Sequence, residues 1–247
     1  MTRFLSSTFI LCISLFGFSQ ESDARYPTEK QIFPFGVVET IDSKILNEKR
    51  VLNIYLPQGY HPDSIVTYHT VYVLDGSANE DFPHIAGLVQ FLNMYQLMPN
   101  SIVVGIANVD RYRDFTSLST VKEDVEGIPN NGGLEKFMAF IEKEVQPFIA
   151  KNYKVNDHRT IIGQSLGGLL ATEILIAKPD LFSDYIIVSP SLWWNDMALV
   201  NTTHKHFMEH QELEKRIFVS LGKEHPVMHE VADKLVDAIQ KSGNKNI

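Results

Sequence analysis

The stretch Thr160–Gly168 reads TIIGQSLGG, and it decides the fold class. A short apolar run enters a Gly-x-Ser-x-Gly turn, and the small, apolar segment Leu169–Ala177 follows it directly. This order predicts a buried strand, a sharp turn and a helix. We expect the turn to hold Ser165 in a strained backbone conformation with its hydroxyl exposed. We also expect that a Cβ at Gly163 or Gly167 would collide with the neighbouring strand or helix.

Two backbone N–H groups are candidates for binding an oxyanion. The N–H of Leu166 begins the predicted helix, where it can face a developing negative charge. A second donor in such sites comes from the loop after an earlier strand. The apolar run that ends at Leu74 leads into Asp75–Ala78, and we assign the second donor to Ser77. The alternative for the turn around Ser165 is a Gly-rich turn with only a structural role. The alternative for Ser77 is an ordinary exit from a strand into a loop.

Short apolar runs lie on both sides of this stretch along the chain. They are TVYVL at 70–74, SIVVGI at 101–106, YIIV at 185–188 and IFVSL at 217–221. Runs that are apolar on both faces are typical of a parallel sheet covered by helices. The segments 134–150 and 231–239 show helical periodicity between and after them. The β-rich runs 35–42 and 51–56 predict an N-terminal antiparallel hairpin.

These elements together predict an α/β protein. Its central sheet is mostly parallel, and helices cover both faces of it. In such sheets the reactive groups gather at the carboxyl ends of the strands, which is where Ser165 lies.

The first twenty residues differ from the rest of the sequence. Arg3 is their only charged residue, and an apolar run extends from Phe4 to Phe18 before a short polar exit. This pattern predicts a secretory signal peptide over 1–20. The run is shorter than the ~20 apolar residues of a membrane-spanning helix. We expect a flexible lead-in over 21–34, a single domain over 35–247, and export to a periplasm or out of the cell.

Charge and cysteine content exclude several classes of function. The sequence has 22 basic and 30 acidic residues and a net charge of −8, which argues against nucleic acids and anionic membrane surfaces as partners. Cys12 is the only cysteine and lies in the predicted leader. A cysteine hydrolase is therefore excluded for the exported chain.

Five stretches resemble the "putative esterase" family of α/β-hydrolases, which includes siderophore esterases, feruloyl esterases and S-formylglutathione hydrolase. They are VYVLDG (71–76), VVGIANVDRYRDFT (103–116), GQSLGG (163–168), SPSLWW (189–194) and SLGKEH (220–225). They follow the family's order over most of residues 35–245, and the siderophore-esterase branch is the most similar. The resemblance implies an α/β-hydrolase fold. It also implies a cofactor-free serine esterase that forms an acyl-enzyme with a small or siderophore-like ester.

The resemblance also implies roles for individual residues. Ser165 is the nucleophile, and Glu224 is the acid that orients the catalytic histidine; a solvated loop glutamate is the alternative for Glu224. Trp193 and Trp194 match the family's paired tryptophans and are expected to line the substrate cleft, with core packing as the alternative. His84 follows the oxyanion loop and is expected to line the pocket, unless it has only a structural or surface role.

The catalytic histidine is not found at its expected place. The resemblance puts it after one further strand, whereas the sequence continues from the last predicted helix only through Ser242–Ile247. The expectation is therefore that the domain lacks its last strand and helix and that the histidine lies beyond Ile247. Among the histidines present, His229 is the least implausible substitute, because His225 adjoins Glu224.

The segment His206–His210 spells H-x-x-E-H, a spacing found in some zinc proteases. A zinc site would need a third ligand on a scaffold helix, whereas the stretch 201–215 is highly polar. We interpret the segment as a solvated helix face and expect no metal.

Two functions remain open from the sequence. The first is an exported serine esterase with a small-molecule ester as its partner. The second is a catalytically inactive protein of the same fold that binds such a molecule. The oligomeric state is not determined by these patterns.

Overall fold

Seven strands form one sheet in residues 34–247, the part of the chain that the computed structural model describes. Across the sheet their order is β1-β2-β4-β3-β5-β6-β7. In chain order they are β1 (Val37–Ser43), β2 (Glu48–Tyr55), β3 (Tyr68–Val73), β4 (Ser101–Ile106), β5 (Val155–Gln164), β6 (Asp184–Val188) and β7 (Arg216–Ser220). The predicted signal peptide and all but the last residue of the predicted lead-in lie outside the described residues.

The sheet is mostly parallel, as predicted. β1 and β2 form the expected antiparallel hairpin, and β2 also pairs antiparallel with β4. The strands β3 to β7 run parallel to one another. Every residue of β4 is buried, which explains its uninterrupted apolar sequence.

Nine α-helices of the described residues connect and cover the strands. They are α1 (Phe82–Met94), α2 (Arg111–Phe115), α3 (Lys122–Gly127), α4 (Leu134–Phe140), α5 (Gln146–Asn152), α6 (Leu166–Ala177), α7 (Trp194–Met197), α8 (Val200–Glu209) and α9 (Pro226–Ser242). A 3₁₀ turn, Pro179–Leu181, precedes β6. Within residues 34–247, no helix combines the length and the apolar content that crossing a bilayer requires.

The amphipathic segment 134–150 differs in one respect from the predicted single helix. A π-helical turn, Ile141–Val145, separates α4 from α5. Pro147 lies in the first turn of α5. Proline has no N–H to donate and its ring crowds the preceding turn, so the wider π turn allows the helix to continue through it. The buried stripe is preserved, with Phe137, Ile141 and Ile149 in the core.

Helices cover the two faces unequally. On one face α1 packs Phe82 and Ala86 against Val71 and Val103 of the central strands. On the other face α4, α5, α6 and α9 form the larger core cluster with strand residues such as Ile161. The elements therefore match the expected α/β arrangement, with helices on both sides of the sheet.

Helix α1 covers only part of its face. Beyond it, an apolar groove of about 390 Å³ runs over β5, β6 and β7. Ile162, Ile186 and Phe218 line its floor, and Leu88 and Leu92 of α1 line one side. Phe218 is consequently 60% exposed.

Candidate active site

Ser165 lies in the turn between β5 and α6. Its backbone angles are φ 56° and ψ −117°, a region that costs a non-glycine residue about 1–3 kcal/mol. Three hydrogen bonds hold it there. Its N–H donates to the Val188 carbonyl at 3.0 Å, and its own carbonyl accepts from the N–H groups of Ser191 and Leu169 at 3.0 Å each. The strained serine turn predicted from the Gly-x-Ser-x-Gly pattern is confirmed.

The glycines around Ser165 allow the strand and the helix to meet closely. A Cβ on Gly163 would overlap the carbonyl of Gly167, as predicted. The prediction for Gly167 itself is wrong, because a Cβ there would meet its nearest neighbours only at 3.4 Å, an ordinary contact. The crowded position is Gly168, where a Cβ would lie 2.9 Å from Cα of Pro190. Helix α6 is thus pressed against both the end of β5 and the loop after β6.

The hydroxyl of Ser165 has one hydrogen-bond partner within residues 34–247. Its Oγ lies 3.2 Å from Oγ of the buried Ser191. No imidazole of the described residues lies within hydrogen-bonding distance of it. Ser191 was not predicted as a site residue, although it lies in the family-like stretch SPSLWW, because only the fold brings the loop after β6 to the serine turn.

The two predicted oxyanion donors differ in their availability. Leu166 is the first residue of α6, so its N–H has no intrahelical acceptor. The N–H of Ser77, by contrast, donates to Oε2 of Glu80 at 3.3 Å. A substrate oxygen can use the Ser77 donor only after this carboxylate moves away.

A charged network surrounds the loop that contains Ser77. Asp75 is buried in a left-handed conformation, with φ 54°. Nε and Nη2 of Arg111 donate to its two carboxylate oxygens at 2.6 and 2.9 Å, and Asn108 donates to Oδ1 at 2.7 Å. Burial lowers the pKa of Arg111, but its hydrogen bond to Asp75 and the charge of Asp75 outweigh burial, so the pKa is raised. These residues were not predicted, although all of them lie in the family-like stretches.

Glu224 lies just after β7, at the same edge of the sheet as Ser165. Its Oε1 accepts hydrogen bonds from Oγ of Ser189 and, at 3.3 Å, from the Gly222 N–H. Ser189 directly follows β6 and has a left-handed conformation, with φ 45°. Glu224 therefore contacts the strand end that separates it from Ser165, and it does not contact Ser165 itself.

A model of the "putative esterase" family matches residues 43–246. The chain belongs to this family. The match includes the serine turn, the loop with Asp75 and the position of Glu224.

Two curated relatives are siderophore esterases. The chain is 34% identical over 179 residues to ferri-bacillibactin esterase BesA of Bacillus subtilis, covering 66% of this chain and 61% of that protein. It is 35% identical over 114 residues to siderophore triacetylfusarinine C esterase of Aspergillus fumigatus, covering 43% of this chain and 38% of that protein. The chain thus spans about three-fifths or less of the length of these two relatives.

A solved structure confirms the fold. The IroE-like serine hydrolase from Shewanella oneidensis superposes with a TM-score of 0.76 at 28% identity, covering 85% of this chain and 71% of that chain. The expected α/β-hydrolase fold and the resemblance to the siderophore-esterase branch are both confirmed.

The paired tryptophans of this esterase-family protein have different environments. Trp194 is 2% exposed, and its Nε1 donates to the Ser117 carbonyl at 3.0 Å. The Trp193 ring packs edge-on against it at 6.2 Å and keeps part of its surface open. Next to them, Asn195 is one of three successive residues with positive φ, and its N–H donates to Asp124 at 2.8 Å. Trp193 is therefore the better placed of the two to meet a ligand.

Three histidines of the matched region are candidates for the site, and none of them hydrogen-bonds to Ser165. His84 is exposed on α1. Nδ1 of His225 accepts from the Val227 N–H at 3.3 Å and caps α9, while His229 is exposed on that helix. Neither His225 nor His229 hydrogen-bonds to Ser165 or Glu224.

The H-x-x-E-H segment forms the end of α8. The rings of His206 and His210 stack at 4.4 Å, and Nδ1 of His210 lies 3.0 Å from Glu212. Burial, followed by the charge of His210, lowers the pKa of His206. Within residues 34–247, no group of three or more His, Cys, Asp or Glu side chains is arranged to hold a metal ion.

Proposed function

We propose that this protein is an exported serine ester hydrolase that acts through an acyl-enzyme on a small or siderophore-like ester. The observation that carries the proposal is the position of Ser165. It is held at φ 56° in the turn directly after β5, at the carboxyl ends of the parallel strands. Membership of an esterase family supports this chemistry. The substrate class follows from the siderophore-esterase relatives.

In this mechanism Oγ of Ser165 attacks the ester carbonyl carbon. The oxygen that becomes negative is bound by the Leu166 N–H and, once Glu80 has moved away, by the Ser77 N–H. The intermediate then expels the alcohol, and water hydrolyses the acyl-serine.

The serine proton must pass to a base when the attack occurs. The family resemblance assigns this role to a histidine that Glu224 orients, and no histidine of the described residues contacts Ser165. Ser189 and Gly222 hold the Glu224 carboxylate at the edge where such an imidazole would meet Ser165.

The test compares Ser165→Ala with Ser183→Ala. Ser183 precedes β6 at the opposite edge of the sheet, so its variant controls for the loss of a serine alone. We expect a fluorophosphonate probe to label the wild type and Ser183→Ala but not Ser165→Ala. Turnover of an aryl acetate should fall by ~10³-fold or more in Ser165→Ala only. Equal labelling or turnover in Ser165→Ala would refute the proposal.

One observation favours the second candidate, an inactive protein of the same fold that binds the ester. The Ser77 N–H is already occupied by Glu80, and the hydroxyl of Ser165 hydrogen-bonds only to Ser191 among the described residues. A wild-type protein that neither reacts with the probe nor hydrolyses esters, yet binds a siderophore ester in calorimetry, would establish this candidate instead.

Export has a separate test. When the protein is expressed with its own leader, the exported fraction should begin near Glu21 and contain no thiol, because Cys12 is the only cysteine. An exported chain that still begins at Met1 would contradict this.

A further inference from the structure

We infer that Arg111 is a positioning residue that keeps the two N–H donors of the oxyanion hole in a fixed position relative to each other. It connects the loop that carries the Ser77 N–H to the turn that carries the Leu166 N–H. The inference rests on the proposed function, because it assigns a role within that same site.

The first half of the connection is the loop. Nε and Nη2 of Arg111 form a bidentate pair with Asp75 at 2.6 and 2.9 Å. The Asp75 side chain is only 10% exposed, and its backbone carbonyl accepts the Asp81 N–H at 2.9 Å. Asn108 donates to the Asp75 carboxylate, and its own N–H donates to Oγ of Ser77 at 3.3 Å. The guanidinium of Arg111 therefore fixes Asp75, and the hydrogen bonds of Asp75 in turn fix the conformation of the loop 75–81.

The second half is the serine turn. Nη2 of Arg111 also donates to the carbonyl of Gln164 at 3.4 Å, one residue before Ser165. Oδ2 of Asp75 would lie 3.4 Å from a Cβ on Gly167, so the carboxylate abuts the first turn of α6. The Phe115 ring, with its centroid 5.5 Å from the guanidinium carbon, supports the plane of the Arg111 side chain. One side chain thus contacts both segments that supply oxyanion donors.

Charge gives this contact a consequence for the transition state. Asp75 is a buried carboxylate that abuts the first turn of α6, where negative charge develops during the attack, and the exposed carboxylate of Glu80 lies on the Ser77 N–H. Arg111 is the cation that pairs with Asp75. Without Arg111 the carboxylate would repel the oxyanion more than the neutral ester, and the two donors would lose their common support. Such a change affects the transition state more than substrate binding, so it lowers kcat and leaves KM nearly unchanged.

The experiment compares Arg111→Ala with Arg216→Ala. Arg216 forms a bidentate pair with Asp184 at 2.7 and 2.6 Å at the opposite edge of the sheet, and is therefore a matched control. For Arg111→Ala we expect kcat to fall about 10²-fold with KM changed less than about threefold. Millimolar guanidinium should restore part of the rate, and Arg111→Lys should be intermediate because lysine keeps the charge but not the planar fork. Arg216→Ala should keep the wild-type kcat.

Two results would overturn the inference. One is a kcat for Arg111→Ala within about threefold of wild type; the other is a loss that guanidinium does not restore in a folded protein. Failure of the proposed function is distinguishable, because it is judged from Ser165→Ala alone.

If the wild type proves inactive, hydrogen exchange decides the positioning role. The amides of 75–81 and 163–169 should then exchange about tenfold faster in Arg111→Ala than in Arg216→Ala. Equal exchange in the two variants at both segments would overturn the inference.

Discussion

Two arginine–aspartate pairs lie at opposite ends of the parallel strands: one at their carboxyl ends (the carboxyl edge of the sheet) and one at their amino ends (the amino edge). The geometry of the two pairs is nearly identical. Arg111 binds Asp75 through two hydrogen bonds of 2.6 and 2.9 Å at the carboxyl edge. Arg216 binds Asp184 through two of 2.7 and 2.6 Å at the amino edge. The surroundings, and not the bonds, distinguish the two pairs.

At the carboxyl edge the Arg111 side chain is 29% exposed, and Asp75 has a left-handed backbone close to the strained Ser165. At the amino edge the Arg216 side chain is 75% exposed, and Asp184 begins a regular strand. Exposed pairs contribute about 0–1 kcal/mol, whereas breaking a buried pair leaves an uncompensated charge. The same kind of ion pair can therefore either position a functional loop or form a surface contact, depending on its burial and on the backbone that it holds.

The largest expected effect tests how tightly the carboxyl edge is packed. In Gly163→Ala the new methyl group would overlap backbone atoms of Gly167, which cannot move without displacing α6. We expect the variant to lose more than about 4–5 kcal/mol and to yield no soluble folded protein.

The control for this variant is Gly87→Ala within α1. A Cβ on Gly87 meets nothing within 4 Å, so alanine should stabilise the helix by about 0.5–1 kcal/mol. Expression yield and urea denaturation check both variants. A soluble Gly163→Ala with the wild-type urea midpoint would contradict the packing argument.

The second prediction separates the adjacent tryptophans of the carboxyl edge. Trp194→Ala removes a buried ring and its hydrogen bond to Ser117, so the free energy of unfolding should fall by about 3–4 kcal/mol. Trp193 is only partly buried, so Trp193→Ala should cost about 1–2 kcal/mol and instead raise KM for an aryl ester. Urea denaturation and steady-state kinetics measure the two effects. Equal losses of stability would show that both rings serve the core.

The third prediction concerns a partly buried carboxylate without an arginine. Glu173 of α6 forms no salt bridge among residues 34–247, and burial, followed by the charge of Glu135, raises its pKa to about 7. Because the unfolded chain releases this proton more readily, the contribution of Glu173 to stability is complete below pH 4.5 and is lost as the pH rises through about 7. Glu173→Gln should therefore stabilise the protein by about 1–3 kcal/mol at pH 8 and by little at pH 5.

Urea denaturation at the two pH values measures this difference. Glu135→Gln serves as the partner variant, since removing its charge should lower the pKa of Glu173 and reduce the effect. A Glu173→Gln variant that is equally stabilised at both pH values would contradict the assignment.

The smallest effect belongs to the amino-edge pair. Burial, the largest single influence, raises the pKa of Asp184, but hydrogen bonds from Arg216 and His158 and their charges together lower it below its ordinary value. The stability that Asp184 contributes is present above pH 3.8 and is lost as the pH falls through the folded-state pKa. Asp184→Asn should cost about 1 kcal/mol at pH 7. The difference from wild type in urea curves should disappear in acid, and a constant difference would contradict this origin.

Much of the fold could be predicted because its signals are local. The buried strands appear as uninterrupted apolar runs, and the serine turn appears as glycines around Ser165. Glu224 follows a predicted strand, which places it at the correct edge of the sheet. The π turn before Pro147 was missed because the apolar periodicity continues through it.

Local patterns of residues are sufficient for the α/β class, the parallel sheet and the position of Ser165 at the end of a strand. Each of these depends on neighbours within a few residues, through backbone sterics or the burial of an alternating or continuous apolar run. The contacts of Arg111 with both Asp75 and Gln164, and of Glu80 with the Ser77 N–H, instead depend on the packing of the whole domain. Residues far apart in the chain meet only when strands and helices pack in one register, and no local pattern specifies which charged side chains that packing brings together.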